Sequence, residues 1–209
     1  MERERLQIKY NKQILVEGRD AYYFFIQALE AYKIDNVQVV DFGGIKDLTA
    51  FIGTWKKLEH FHTIRSLLIV RDAEQSAVNA MRSIGGALRE HHFPCPEDSY
   101  RFCSGDMPSG QKIRVGIILL PHMGASHGTL EDLCIETVVD DEYMDAVNGF
   151  LDTASQIEKL SHEHKSRVHA YLSVKNKYVG MKIGEAAKAG AWDWDSKAMK
   201  DICRMMEAL

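Results

Sequence analysis

No apolar run in this chain approaches the ~18 residues that a membrane-crossing helix needs, and no basic start followed by an apolar middle opens it. Neither a membrane span nor a secretory leader is indicated, so the expected address is the cytoplasm. Cysteines are few. Cys95, Cys103, Cys134 and Cys203 show none of the paired short spacings of a zinc site, and 209 residues bury enough core to need no disulfide staples, so all four are read as reduced. Excess positive charge is missing too: a formal net charge of −4 excludes a protein that coats nucleic acid by bulk electrostatics, while leaving room for a local basic groove. There is no internal repeat and no low-complexity tract. Prolines number four, and Pro94, Pro96 and Pro108 all fall between His91 and Gln111.

What remains is an ordinary globular composition, 45% apolar and 27% charged, arranged in alternating short apolar runs and helical stripes. The runs Ile14 to Val16, Val37 to Val40, Ser66 to Val70 and Arg114 to Leu120 read as buried strands. Between them, Ala21, Phe24, Phe25, Ala28, Leu29 and Tyr32 form one helical stripe, and Leu48, Phe51, Ile52 and Trp55 mark a second helix over Ile45 to Leu58. Val78, Met81, Ile84, Ala87 and Leu88 mark a third over Gln75 to Glu90. Strands separated by helices of this length specify right-handed crossovers and a mainly parallel, Rossmann-like α/β sheet flanked by helices. The proline-bearing stretch His91 to Gln111 interrupts that rhythm and reads as a hairpin on the sheet edge or a flap. From Asp140 onward the pattern is helical, with stripes Met144, Val147, Leu151, Ala154, Ile157, Leu160 and then Val168, Tyr171, Leu172, Val174. A last helix, capped by Asp195 or Ser196, carries Met199, Ile202, Cys203, Met206 and Leu209. The expected organisation is an α/β core over residues 1–138 and a C-terminal helical extension over 139–209 packed on it. The charged opening Met1 to Lys12 reads as a solvated terminus.

The strand ends carry the chemistry. The first runs into Glu17-Gly18-Arg19-Asp20, the third into Asp72-Ala73-Glu74, and the last is followed by Gly128-Thr129-Leu130-Glu131-Asp132. In open α/β sheets ligands sit outside the carboxyl ends of the strands, so acids from separate strands converge there. Like charges that close coexist when a cation neutralises them, and hard oxygen ligands suit Mg²⁺ or Mn²⁺. Simpler readings stand beside this one. Asp20 sits where a helix N-cap belongs, Glu74 falls where a helix dipole favours an acid, and Thr129 with Asp132 fits a capping box that leaves Glu131 free. His122 and His127 flank the last loop as proton carriers or as plain surface residues, and Trp192 and Trp194 read as core anchors or a docking patch.

Val16-Glu17-Gly18-Arg19-Asp20, followed by an apolar strand and Asp72-Ala73-Glu74, resembles the TOPRIM domain, the metal-binding catalytic module of topoisomerases, bacterial primases and OLD-family nucleases. The resemblance covers roughly Gln13 to Glu136. It places the family's invariant Glu at Glu17 and its Asp-x-Asp pair at Asp72 and Glu74, the latter one methylene longer than usual. Gly128-Thr129-Leu130-Glu131 is similar to a metal-binding element of the OLD-like and small stand-alone members, and the tail around Trp192-Asp193-Trp194 is similar to that stand-alone branch. The chain has no room for a topoisomerase gate or a primase zinc module, so the resemblance implies Mg²⁺- or Mn²⁺-dependent cleavage of phosphodiesters in DNA or RNA. In that expectation Glu17, Asp72, Glu74 and Glu131 hold metal, Asp20 tunes the site and Arg19 steadies a substrate phosphate. The alternative is a non-catalytic interaction module of the same shape. A receiver-like phosphoacceptor ranks last, because Leu119-Leu120 leads into Pro121-His122 rather than into a lysine. A homo-oligomer or a partner protein is left open.

Overall fold

The computed structural model describes residues 6–44 and 47–209. The first five residues of the charged opening, and Ile45 and Lys46 at the start of the expected second helix, lie outside the described residues. The elements run β1 (Lys12–Val16), α1 (Arg19–Ala31), β2 (Val37–Asp41), α2 (Leu48–Trp55), β3 (Ser66–Asp72), α3 (Ala77–Glu90), β4 (Arg101–Asp106), β5 (Lys112–Leu120) and α4 (Leu130–Thr137). Four further helices follow: α5 (Met144–Ile157), α6 (Glu163–Val174), α7 (Ile183–Ala189) and α8 (Lys200–Glu207).

The strands form one five-stranded sheet in the order β2-β1-β3-β5-β4. All neighbours are parallel except β4, which returns antiparallel on β5 and closes the edge as the proline-rich stretch suggested. The architecture is therefore α/β, with a mostly parallel sheet flanked by helices.

Strand alternation sorts the core into two layers. Ile14, Val16, Leu68, Val70, Ile118 and Leu120 face α1, α4 and the C-terminal helices. Leu15, Leu67, Ile69, Val115, Ile117 and Leu119 face α2 and α3. The apolar residues of α5 to α8, among them Val147, Leu151, Tyr171, Trp192, Ile202 and Met206, share the first of these clusters with the sheet. On α1, Phe24 and Phe25 are fully buried, each worth about 1.5–3 kcal/mol of hydrophobic stabilisation.

Some stripe positions depart from expectation. Ile157, the last residue of α5, is 86% exposed, and Val78, in the first turn of α3, is 67% exposed. The glycine-punctuated stretch 180–190 holds a helix, α7, that its glycines concealed. Gly184 lies inside it because a Cβ there would stand 2.7 Å from Tyr23 Cβ on α1, so the glycine marks a close approach rather than a break. Gly190, at φ 83°, ends the helix in the left-handed conformation.

The connections place the site. From β1 the chain crosses through α1 to β2 on one side, whereas from β3 it moves to β5 on the other. The strand order thus reverses between β1 and β3, and the carboxyl ends of those two strands border the crevice where such folds bind ligands.

Candidate functional site

β3 runs two residues further than its apolar segment, so Arg71 and Asp72 are paired sheet residues, opposite Leu119 and Leu120 of β5. Register and alternation then fix which acids meet. Val16 pairs with Val70, so the next residues along, Glu17 and Arg71, stand abreast on the face covered by α2 and α3. Asp72 belongs to the opposite row, with Leu68 and Val70.

The side chains follow this arithmetic. Arg71 Nε lies 3.2 Å from Glu17 Oε2, with the two side chains only 5% and 12% exposed. Among the described residues neither Arg71 Nε nor Nη1 finds a hydrogen-bond acceptor, and Glu17 Oε2 finds no donor. Burial pushes the Glu17 carboxyl above the usual carboxylate range, with Glu74 and Asp47 adding to the shift, and Arg71 offsets this only in part.

Asp72 is the centre of the acid cluster. Its Oδ1 accepts a hydrogen bond of 2.9 Å from Leu130 N–H, in the first turn of α4. Burial, and then the charges of Glu131, Glu17 and Glu74, hold its carboxyl well above the usual range against that bond. Glu131 projects from the same helix turn, partly buried, with Lys165 of α6 at 4.0 Å. Asp132 accepts from Thr129 N–H at 2.8 Å and from its hydroxyl at 3.1 Å, which is the capping arrangement expected, and it leaves Glu131 free of that task.

Glu74 is not where a helix dipole would explain it. α3 begins at Ala77 under a Ser76 cap, and Glu74 precedes it in the left-handed conformation, φ 53°. That conformation is uncommon for a residue with a Cβ. A two-bond bridge to Gly128 holds it there, Glu74 N–H to Gly128 O at 2.8 Å and Gly128 N–H to Glu74 O at 2.9 Å. Gly128 itself, at φ 124°, has no space for a side chain, since a Cβ would stand 2.6 Å from Pro121 Cδ. The bridge ties the loop after β3 to the loop before α4, and so ties Glu74 to the turn bearing Glu131.

Asp20 does not cap its own helix; the N-cap of α1 is Gly18, at φ 83°. The Asp20 carboxylate instead accepts 3.1 Å from Gly184 N–H and caps α7, docking the C-terminal segment against α1. Arg19 is exposed at the start of α1, with Nη2 3.3 Å from the Tyr23 hydroxyl. Gly18 N–H is held by Asp41 of β2, whose Oδ1 also accepts from Gly43 N–H. His122 and His127 stay on the surface, His122 3.5 Å from Glu136 and His127 on Ser126. Trp192 is buried against Tyr171, and Trp194 packs on Phe24, so both serve as core anchors.

Two neighbours of the acids escaped the sequence reading. Arg71 was legible in principle, as an arginine closing the otherwise apolar run Ser66 to Val70, one strand position out of phase with Asp72. Lys165 had no local signal, because only the docking of α6 on α4 brings it to Glu131.

The donor set fits a hard divalent cation in its chemistry, since the groups are all carboxylates and Asp72 is withdrawn from solvent among like charges. Among the described residues no three His, Cys, Asp or Glu side chains are gathered within coordinating reach. The contacts above account for this, with Glu17 turned to Arg71 and Glu131 towards Lys165.

Residues 11–209 match the family model described as "Protein of unknown function (DUF3226)". No curated protein and no solved structure matches the chain.

Proposed function

This chain belongs to the DUF3226 family, and we propose that it is a TOPRIM-like, Mg²⁺- or Mn²⁺-dependent enzyme that hydrolyses phosphodiester bonds in DNA or RNA. One observation carries the reading: Asp72, at the switch point of the sheet, has its pKa raised first by withdrawal from solvent and then by the charges of Glu131, Glu17 and Glu74 around it. Leaving such charges together is costly, and a divalent ion removes the cost. The run Val16 to Asp20, the Asp72-Ala73-Glu74 triplet and Gly128 to Glu131 support the TOPRIM assignment by their likeness to that family.

Asp72, Glu74 and Glu131 would hold the ion, with Glu17 beside them. When bound, the ion supplies Lewis-acid polarisation of a phosphate oxygen and neutralises the charge that develops on it. The chain itself does the positioning. Leu130 N–H fixes one oxygen of Asp72, and the bridge to Gly128 pins the backbone of Glu74. Lys165, 4.0 Å from Glu131, and Arg19, exposed at the start of α1, provide charge for a substrate phosphate.

The test is conversion of supercoiled plasmid, and of a structured RNA, by the purified protein with Mn²⁺ or Mg²⁺. Cleavage by wild type that falls at least ~100-fold in Asp72→Asn is the expected result. Cleavage that survives Asp72→Asn, or is absent on both substrates, refutes it. A non-catalytic interaction module of the same shape is the second reading, favoured by the scatter of the acids among the described residues.

A further inference from the structure

α5 carries more apolar surface than the described residues cover. Met144, Val147 and Leu151 form the face turned into the core. A second row, Tyr143 at the N-cap, then Phe150 and Ile157, repeats every seven residues, which at 3.6 residues per turn keeps it on one side of the helix. This row stands in solvent, with Tyr143, Phe150 and Ile157 39%, 62% and 86% exposed. Ala146 and Thr153, both exposed, fall between its members and complete the alternating three-and-four spacing by which one helix receives another. Gly149 fits the same use. Glycine inside a helix costs stability relative to alanine, and nothing stands within 4 Å of the place its Cβ would take, so packing within the chain does not call for it. A bare backbone beside Phe150 lets a second helix approach closely.

Charge selects the kind of helix. Asp145 and Asp152 repeat at the same interval of seven, along the edge of the row beyond Gly149, and Asp140, Glu142 and Glu158 are exposed at its two ends. Lys159 is the one basic residue between positions 139 and 159. Lys175 of the neighbouring segment lies 5.2 Å from the Tyr143 ring but is already paired with Asp141. A second copy of this chain would meet these acids with the same acids, whereas lysines or arginines at matching intervals would neutralise them. Area points the same way. Three side chains offering at most about 250 Å² each fall short of the roughly 800 Å² per partner of a stable interface, which suits one helix docked partly by charge rather than a permanent dimer.

We propose that the outer face of α5 is the docking surface for a basic amphipathic helix of another protein. The apolar residues of that helix pack on Tyr143, Phe150 and Ile157, its backbone crosses close to Gly149, and its lysines or arginines face Asp145 and Asp152. This surface is independent of the acids at the strand tips and of the chemistry proposed for them.

The probe is a synthetic labelled peptide with leucine at the first and fourth places of each heptad and lysine and alanine sharing the rest, beside a twin with glutamate in place of lysine. Both are titrated with the full chain at about 0.1 M salt and followed by fluorescence anisotropy. The lysine peptide is expected to bind at least ~10-fold more tightly than its twin. Phe150→Ser with Ile157→Ser leaves the charge unchanged and is expected to weaken it at least ~10-fold, and Asp145→Asn with Asp152→Asn at least ~3-fold. Gly149→Leu is expected to raise Tm and still weaken the peptide at least ~3-fold, a combination that loss of folding cannot produce. No binding of the lysine peptide, equal binding of its twin, or binding unchanged by Phe150→Ser with Ile157→Ser overturns the proposal. So does a wild-type dimer in sedimentation that the same two substitutions dissociate, which assigns the face to a second copy.

Discussion

Replacing Asp72 by Asn is expected to stabilise the metal-free protein, although it removes the central residue of the site. The Asp72 carboxyl is pushed well above the ordinary range by burial and by Glu131, Glu17 and Glu74. The folded chain therefore binds that proton more tightly than the unfolded chain, whose aspartate titrates near the ordinary value of about 3.9. Between those two values stability falls as pH rises, and above both the whole penalty is present. Each unit of upward shift costs about 1.4 kcal/mol. Asparagine keeps the acceptor for Leu130 N–H, 2.9 Å away in the native protein, and loses only the charge. A gain in stability at about pH 7.5 follows from removing one buried charge from among like charges. For a chain of this size each kcal/mol gained raises Tm by roughly 2–4 °C. The assay is thermal unfolding by far-ultraviolet circular dichroism in EDTA, repeated with Mn²⁺. Mn²⁺ should raise the wild-type Tm towards that of the variant and move the variant little. An Asp72→Asn protein no more stable than wild type in EDTA, or equal Mn²⁺ stabilisation of both, would refute the reasoning.

The same shift predicts that wild type in EDTA becomes more stable as pH falls from neutrality towards the ordinary aspartate value of about 3.9, and that Asp72→Asn flattens this slope; urea unfolding at several pH values measures it. Asp141, lowered against the effect of burial by Lys175, Tyr143 N–H and Tyr171, acts in the opposite sense, and its stabilisation is lost only as pH drops below about 4. Glu74→Gly should leave stability unchanged or raise it by up to about 1 kcal/mol, since the residue sits at φ 53°, while Mn²⁺ affinity falls; unfolding and Mn²⁺ titration read the two effects separately. Gly128→Ala should cost at least about 2 kcal/mol, because φ is 124° and the new Cβ would meet Pro121 Cδ at 2.6 Å, and denaturant unfolding checks it. Asp20→Ala should cost about 1 kcal/mol and open the segment preceding α7 to limited proteolysis, through loss of the 3.1 Å cap on Gly184.

Much of the architecture was legible because local signals and tertiary demands agree. The four parallel strands were visible as apolar runs, since a sheet covered on both faces has no polar side. The acids at their tips were visible because the runs end abruptly. The roles of those acids were less legible, because they depend on register and on distant partners. Asp20 looked like a cap of its own helix and caps one 164 residues away in sequence. Glu74 looked like a helix-start acid until β3 and its bridge to Gly128 placed it in a left-handed turn outside α3. Arg71 reads as the end of a strand in sequence and becomes the partner of Glu17 once Val16 is aligned with Val70. Gly184 concealed α7 because a glycine required by close packing has the same letter as one that breaks a helix.

A divalent ion at the tips of β1 and β3 is the premise of the proposed chemistry. Crystals soaked in MnCl₂ and measured for anomalous scattering test this directly. The expected result is one peak within coordination distance, about 2.0–2.3 Å, of an Asp72 carboxylate oxygen, with Glu131 or Glu74 as a second ligand. No peak at Asp72, or Mn²⁺ bound only at another place on the chain, would contradict it.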